Sequence, residues 1–351
     1  MTISATTQGI KPGVCTSTNR PSAPFDGQVI YMTDVDQTAV WDGTQWTVLA
    51  PIAGNRNGII NGNMNVWQRG TSVANSGGKS YSPDRWWCSR GGAVGGITVS
   101  RQTSTQTGFS YSARVQRDSG NTSTQGIYLY QDFETINSIR FAGGNVSLSF
   151  YAKLGANYSS ASSILNYTIT YGTGTDQSFY SGMTGQANAA GSTVTLTSTF
   201  QRFTVTAAIP SSATQISIGF FYTPVGTAST NDWFEITGVQ LEAGAVATPY
   251  EFEDYGTTLQ KCQRYFCSLP VVSVDAYGVA GVAVVSRAIY PVPMRALPTL
   301  TTGTMVAQGN NAGAFSFDSA TSSVHSGTIY ITASTSARAY YYAALTASIE
   351  L

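Results

Sequence analysis

Charged side chains are scarce in this sequence. Asp, Glu, Lys and Arg together make up 10% of its 351 residues, whereas roughly a quarter is usual in a soluble protein. Only four residues are lysines, and the 18 basic side chains are balanced by 18 acidic ones. No basic field is therefore available to gather phosphates, which disfavours a nucleic-acid partner. The polar surface must come from Ser, Thr, Asn, Gln and Gly.

Histidine and cysteine, which many metal and nucleophile sites need, are also rare. The one histidine, His325, lies in SSVHSG without the turn that presents a nucleophilic serine. The four cysteines follow no zinc-binding spacing: Cys15, Cys88, Cys262 and Cys267. We expect free buried thiols, no metal site and no cofactor.

The signatures of catalysis are missing as well. A glycosidase needs two carboxylates that flank the scissile bond. Six acidic residues are candidates, but the sequence alone does not pair them: Asp84, Asp132, Glu134, Asp232, Glu235 and Glu242. No glycine-rich phosphate loop precedes a predicted helix either. The sequence therefore indicates a protein that is not an enzyme.

Long hydrophobic runs are absent. The longest, from Val279 to Val285, is far shorter than the roughly 20 residues that a membrane-spanning helix needs. The initial MTISATTQGIKPG has no charged region followed by an apolar core, so it lacks the features of a signal peptide. We therefore expect a protein that is made in a cytoplasm and does not insert into membranes.

What the sequence does have is a repeated two-residue alternation. Between residues 61 and 253, short segments carry apolar side chains at every second position and mostly Ser or Thr between them, as in 146–150, 165–171 and 216–222. This period is typical of strands half-buried in an antiparallel sheet. We predict an all-β fold with a jelly-roll-like β-sandwich over 61–253. The apolar parity changes after Gly238, which predicts a β-bulge there.

Two shorter regions precede the sandwich. Residues 1–19 lack periodicity and are predicted to be an arm that orders only against a partner. Residues 20–51 contain three apolar segments, and the Asp42-Gly43 pair between two of them is a strong hairpin signal. We predict a three-stranded β-meander that serves for attachment or trimerisation, because so small a sheet needs another surface to cover its apolar face.

One helix is predicted after the sandwich, within a linking segment at 254–267. We place the helix itself at 257–266. Four residues recur at helical spacing and form one apolar stripe: Tyr255, Leu259, Cys262 and Phe266. Such a stripe suits either a helix bundle between three chains or packing on the chain's own sandwich.

The last region, 268–351, is predicted to be a C-terminal β-domain. Apolar residues at 271–274 and 279–290, and again near Ile329, predict its strands. The stretch PVPMRALPTL at 291–300 has three prolines. It must be irregular or lie at a sheet edge, since proline cannot donate to a β-ladder.

Aromatic and amide side chains are abundant, and they favour a sugar-binding role. Pyranose faces stack on aromatic rings while amides and carboxylates bind the hydroxyls. In YSPDRWW at 81–87, the adjacent Trp86 and Trp87 must point to opposite faces of a strand, which puts one in the core and leaves the other free for exposure. We name three candidate glycan contacts: Trp87, Tyr341 and Asp84. Alternatively, Asp84 and Arg85 satisfy buried groups or each other, and Trp86 packs in the sandwich.

The polar stretch NGNMNVWQRGTS at 61–72 is either an anion cradle or a piece of scaffold. Met64 and Val66 alternate with polar residues, as the opening strand of a sheet should. The side chains that follow would then hydrogen-bond neighbouring backbone where the strand ends. We interpret the stretch as scaffold, and four residues are predicted to be structural: Gln68, Arg69, Arg85 and Trp86.

These stretches, taken in order, resemble the opening of a domain common in tailed-bacteriophage virion proteins. There an Asn-Gly-Asn/Asp-Met strand ending in Gln-Arg-Gly-Thr-Ser precedes an Asp-Arg-Trp strand, as in 61–72 and 81–87. Residues 236–266 resemble the closing strand and trailing helix of that domain, ending in Cys-Gln-Arg-Tyr. Residues 20–51 and 291–300 are similar to parts of phage tail-fibre and spike proteins.

The resemblance implies a virion structural protein, commonly homotrimeric, with a β-sandwich similar to carbohydrate-binding modules. Our leading hypothesis is a tail-fibre or receptor-binding protein, made in the host cytoplasm and located in the tail of the virion rather than the head. Its N-terminal region would contact other virion proteins, and the sandwich and C-terminal domain would face a host surface glycan. The alternatives are a capsid decoration or head-fibre protein with an architectural role, and a polysaccharide depolymerase, which the absence of β-helix repeats disfavours.

Overall fold

The computed structural model describes residues 12–34, 37–49, 55–91 and 95–351. Strands dominate these ranges, which confirms the predicted all-β fold. They are arranged as a four-stranded sheet, two six-stranded sheets and two three-stranded sheets. No helix in the same ranges is long and apolar enough to cross a membrane.

The four-stranded sheet lies at the N-terminal end of the chain. Its strands, in spatial order, are β1 (Gly13–Cys15), β2 (Val29–Met32), β3 (Gln37–Trp41) and β4 (Trp46–Val48). Strands β2 to β4 correspond to the predicted meander. Strand β1 pairs in parallel with β2, so the prediction that the arm orders only against a partner is wrong for residues 12–19. The first 11 residues of that arm lie outside the described ranges.

Two antiparallel six-stranded sheets form the β-sandwich. The first, the groove sheet, contains in spatial order β13 (Ala187–Thr195), β12 (Ile164–Gly172), β15 (Gln215–Tyr222), β10 (Ile127–Asp132), β7 (Trp87–Arg90) and β6 (Ser80–Tyr81). The second, the back sheet, contains β14 (Gln201–Ala208), β11 (Asn145–Leu154), β16 (Trp233–Ala243), β9 (Tyr111–Arg117), β8 (Ile97–Thr103) and β5 (Ser72–Asn75). Their inner faces enclose one apolar core, which includes Trp86, Phe150, Phe220 and Ile236.

The bulge predicted at Gly238 is present in β16. The pairing of β11 with β16 shifts register between Ser149 and Tyr151, and Gly238 has a φ of +59°. A β-carbon at Gly238 would lie 2.6 Å from the ring of Phe109. Both the backbone angle and the packing therefore require glycine at this position.

The stretch 61–72 does not form the predicted opening strand. Residues 55–71 contain turns and irregular backbone, and Asn61 and Met64 adopt φ values of +59° and +56°. The side-chain amide of Asn61 donates to Val66 O and accepts from Val66 N, each at 2.9 Å. These bonds take the place of a strand ladder. The alternation of Met64 and Val66 was therefore misleading about the strand, although both side chains are fully buried.

Within the described ranges, two short helices accompany the strands. Helix α1 (Thr135–Ser138) is a single turn after β10, and helix α2 (Tyr255–Gln263) follows the sandwich. Three single 3-10 turns also occur in the part of the chain that the structure describes: Ile139–Phe141, Ala161–Ser163 and Phe179–Ser181. Helix α2 starts where Asp254 accepts a hydrogen bond from Thr257 N at 3.1 Å, an N-cap of the usual kind.

The predicted extent of α2 and its apolar stripe both need correction. The helix ends at Gln263, because Phe266 already pairs with Ser348 as the first residue of a strand. Cys262 and Phe266 are buried within their own chain, whereas Tyr255 is 55% exposed and Leu259 is partly buried. The inner part of the stripe therefore packs on the chain itself, which was one of the two alternatives.

The C-terminal β-domain consists of two three-stranded sheets. One contains β17 (Phe266–Gly278), β22 (Ala337–Ser348) and β19 (Thr299–Gln308), and the other contains β18 (Ala283–Ile289), β21 (Ser326–Thr332) and β20 (Ser316–Asp318). The proline-rich segment before Thr299 forms no strand, as predicted. The buried residues of this domain include Val274, Ile329, Ile331 and Leu345.

Candidate functional site

A groove crosses the outer face of the groove sheet. Its volume is about 560 Å³, and it is lined by Trp87, Ser89, Arg90, Gly91, Tyr128, Tyr130, Thr168, Phe179, Tyr180, Gln186, Asn188 and Phe221. Strand alternation explains why aromatic rings gather here. In β10, Ile127 and Leu129 enter the core, so Tyr128 and Tyr130 point outward onto the same surface.

Three near-parallel rings form the floor at one end of the groove. The ring centroid of Tyr130 lies 4.8 Å from that of Trp87 and 4.7 Å from that of Phe179, with interplanar angles of 14° and 13°. The Tyr130 ring lies against the face of the sheet because its cross-strand neighbour, Gly219, has no side chain. A β-carbon at Gly219 would come within 2.0 Å of Tyr130 Cε1, so this glycine makes room for the ring. Burial raises the pKa of Tyr130 to about 12, so its hydroxyl stays neutral.

A second pair of rings continues the surface. Tyr128 and Phe221 stack with centroids 5.6 Å apart and an interplanar angle of 28°. Tyr128 lies 6.3 Å from Tyr130 at an angle of 48°. Tyr128 and Phe221 are partly exposed, and Tyr180 at the far wall is 48% exposed. The groove therefore offers aromatic faces to a ligand at more than one point along its length.

The polar groups of the groove are uncharged, apart from Arg90. Gln186 and Asn188 are exposed on the edge strand β13 and its approach, and Thr168 Oγ1 lies 3.4 Å from the Tyr130 hydroxyl. Among the described residues, no Asp or Glu lines the groove. Nor do these residues include a cluster of His, Cys, Asp and Glu that could hold a metal ion. The groove therefore offers aromatic stacking and hydrogen bonding, with Arg90 as the charged group of its described lining.

Buried polar residues hold the aromatic floor from behind. Asp132 Oδ2 accepts hydrogen bonds from Trp87 Nε1 at 2.9 Å and from Ser178 Oγ at 2.7 Å. Ser217 Oγ donates to the other oxygen at 2.7 Å. Ser178 in turn accepts from Tyr180 N at 3.3 Å and caps the Phe179–Ser181 turn. One buried carboxylate thus fixes both Trp87 and the turn that carries the far wall.

The structure separates the three residues expected to contact a glycan. Trp86 and Trp87 do point to opposite faces, but Trp87 is only 2% exposed because Tyr130, Phe179 and Tyr180 cover it. The expectation of an exposed Trp87 is therefore wrong, although its ring does line the groove floor.

Asp84 and Tyr341 are not part of the groove. Asp84 is fully buried and accepts from Gln68 N at 2.6 Å. Burial raises its pKa to about 6. Tyr341 stacks on Phe315 at 4.8 Å, against the core of the C-terminal β-domain. Asp84 therefore has no surface for a glycan contact, whereas Tyr341 is partly exposed but lies outside the groove.

Three of the four residues expected to be structural meet at a buried junction between the sandwich and the C-terminal β-domain. Arg69 pairs with Asp84 at 3.5 Å and with Glu350 at 3.0 Å. Arg85 pairs with the other oxygen of Glu350, donates to Asp132 O at 2.6 Å and stacks over Tyr265. Gln68 Nε2 donates to Phe266 O at 2.8 Å, while Trp86 fills the sandwich core. Asp84 and Arg85 are therefore satisfied by other groups, and not by each other.

Five groove residues were not singled out from the sequence: Tyr128, Tyr130, Phe179, Tyr180 and Phe221. A partial signal existed in IYLYQD, where two tyrosines share one strand face opposite two core aliphatics. No local pattern indicates that Phe179 and Tyr180 fold over that face, because their turn is positioned by Asp132 from a distant strand.

Comparison with known proteins finds similar solved structures but assigns the chain to no family. No protein-family model and no curated protein matches the sequence. Among solved structures, a CBM4 protein matches 52% of this chain and 97% of its own, with 21% identity and a TM-score of 0.33. A xylan-binding CBM22 domain matches 49% and 97%, with 20% identity and a TM-score of 0.28.

A third similar structure is the enzymatically active domain of tailspike protein 4 from bacteriophage CBA120. The match covers 49% of this chain and only 21% of the tailspike chain, with 18% identity and a TM-score of 0.33. At these low TM-scores the similarities carry no functional argument. The β-sandwich is established by the strand pairings described above.

Proposed function

We propose that this chain is a structural protein of a tailed-phage virion whose β-sandwich binds a host surface glycan in the aromatic groove. The observation that carries the sugar-binding part is the groove itself. Its floor is a set of fixed aromatic faces, and its rim supplies amides and hydroxyls. Apolar sugar faces stack on such rings, and a few placed polar groups orient the hydroxyls.

Within the groove, each ring has a distinct part in the proposed contact. Tyr128 and Phe221 are partly exposed and would stack directly on sugar rings. Tyr130 and Trp87 are buried and would support that surface from below. Gln186 and Asn188, which are exposed, would hydrogen-bond the hydroxyls from the side.

Binding, and not hydrolysis, is the proposed activity. Glycoside hydrolysis uses two carboxyl groups at the scissile bond, and the described lining of the groove has none. The buried Asp132 behind the floor is already engaged by Trp87 and Ser178. These facts support a protein that holds a glycan without cleaving it.

The virion part of the proposal is supported by the sequence resemblance to tailed-phage proteins over most of 20–300. We propose a homotrimeric tail-fibre or receptor-binding protein, located in the tail, whose N-terminal region contacts other virion proteins. The exposed Tyr255 on α2 is available for a contact between chains. A mass measurement in solution checks this assembly, and a monomer at micromolar concentration would contradict it.

The sugar-binding part is tested with two matched tyrosine variants. Tyr128 and Tyr111 are both partly exposed, Tyr128 on the outer face of the groove sheet and Tyr111 at the first position of β9 in the back sheet, outside the groove. Wild type, Tyr128→Ala and Tyr111→Ala are run in native gels containing host lipopolysaccharide, capsule, xylan, β-glucan or galactan. We expect at least one polysaccharide to retard wild type and Tyr111→Ala, and to retard Tyr128→Ala much less. Equal retardation of all three proteins, or none of wild type, would contradict the proposal.

A further inference from the structure

A continuous set of contacts joins the aromatic end of the groove to the last residues of the described chain. Lys79 is at its centre. Its Nζ donates to Ser178 Oγ at 2.6 Å and lies 3.6 Å from Asp132 Oδ2. The same ammonium lies 5.2 Å from the ring centre of Trp87. Lys79 therefore touches the two polar residues that fix the groove floor, and the tryptophan that they fix.

On its other side, Lys79 contacts the segment 349–351. Its Nζ also donates to Leu351 O, which accepts a second hydrogen bond from the Tyr81 hydroxyl at 2.6 Å. One further anchor holds this segment on the sandwich, and another lies within the C-terminal β-domain. Glu350 pairs with Arg69 and Arg85, and Arg295 Nε donates to Ile349 O at 2.7 Å. The segment is thus tied to the groove sheet through Lys79.

Removal of the Lys79 ammonium would break its contacts with the groove floor and its contact with segment 349–351. Ser178 would lose one of the two donors to its hydroxyl, and the Asp132 carboxylate would lose its ion-pair partner among the described residues. Groups buried in this way depend strongly on their partners. The turn Phe179–Ser181 would then be held by fewer bonds, and Tyr180 on it is the exposed wall of the groove.

We infer that Lys79 is a positioning residue for the groove, so that sugar affinity depends on the docking of segment 349–351 against the sandwich. This inference rests on the proposed function for its affinity part. Its structural part, the ordering of the Phe179–Ser181 turn by Lys79, holds without any ligand. The two parts are measured separately.

The ordering is tested by hydrogen–deuterium exchange on the ligand-free full chain. Lys79→Met keeps the aliphatic stem and removes the donor. Lys153→Met is the matched control, because Lys153 is similarly enclosed, pairs with Glu235 at 3.3 Å and lies over Phe200, but belongs to the back sheet. We expect amides of 178–182 to exchange on the order of tenfold faster in Lys79→Met, as the loss of a charged hydrogen bond would produce. Unchanged exchange there, or an equal effect of Lys153→Met, would overturn the inference.

The affinity is then measured by calorimetry with the polysaccharide that retards wild type, cut into fragments of two to six sugars. Loss of one wall of the groove should lower the affinity for the longer fragments on the order of tenfold. The affinity for the shortest fragments should fall much less. A general loss of structure would instead weaken all lengths together. Equal affinity of Lys79→Met and wild type at every length would overturn the inference.

Ser178→Ala provides a second route if Lys79→Met folds poorly. Ser178 and Lys79 are proposed to act through one hydrogen bond, so the double variant should lose little more affinity than either single variant. Additive losses would overturn the proposed link. If wild type binds none of the polysaccharides, the proposed function fails, while the exchange experiment still decides the role of Lys79.

Discussion

Gly219→Ala tests whether a flat Tyr130 is what makes the groove a binding surface. The added β-carbon would lie 2.0 Å from Tyr130 Cε1, whereas carbon atoms pack best at about 3.5–4.0 Å. The ring must therefore move outward by roughly 1.5 Å. Its stacking distances of 4.8 Å to Trp87 and 4.7 Å to Phe179 leave no room for that shift within the present arrangement.

Two effects of Gly219→Ala are expected. Overpacking of this kind costs about 1–3 kcal/mol of stability, which urea denaturation would detect. Displacement of an aromatic contact should cost about 1 kcal/mol of binding free energy. The affinity for the polysaccharide that retards wild type would then be roughly fivefold weaker.

Gly144→Ala is the control for this change. Gly144 precedes β11 of the back sheet, outside the groove, and a β-carbon there would meet no atom within 4 Å. Stability and affinity should stay close to those of wild type. If Gly219→Ala binds as wild type does, or if Gly144→Ala loses as much affinity, the role assigned to Tyr130 is refuted.

Two further predictions concern the buried junction. Glu350→Gln leaves Arg69 and Arg85 without their shared carboxylate and should lower the free energy of unfolding in urea by about 3 kcal/mol, whereas Asp275→Asn, at the exposed pair with Arg338, should change it little. Comparable effects of the two variants would contradict the account of the junction. Burial raises the pKa of Asp84 to about 6, above its unfolded value of about 3.9. Folded Asp84 then keeps a proton that the unfolded chain has released, so its contribution to stability falls as the pH rises from about 4 to about 6. Asp84→Asn should remove this slope, and parallel pH profiles of the two proteins would contradict the shift.

The sandwich and its bulge could be predicted because they follow from a two-residue period. Strands such as β11 and β15 direct every second side chain into the apolar core, although most residues between them are buried as well. A change of parity at Gly238 has a direct structural meaning. The same rule predicted a strand at 61–72, and that prediction was wrong. There Asn61 satisfies both backbone groups of Val66, and a pattern of apolar residues does not reveal such side-chain bonds.

Less of the candidate site could be predicted from the sequence. Alternation correctly put Trp86 and Trp87 on opposite faces, but the exposure of Trp87 depends on Phe179 and Tyr180, which come from a distant turn. The flatness of Tyr130 depends on Gly219 in another strand. Both features arise from contacts between segments that no local pattern connects.

The position of a bound oligosaccharide tests the central claim most directly. A crystal structure of the full chain with a fragment of the retained polysaccharide should show a sugar ring stacked on Tyr128 and Phe221, with hydroxyls near Gln186 or Asn188. A sugar bound elsewhere on the chain, with the groove open in the same crystal, would contradict the claim that this groove is the binding site.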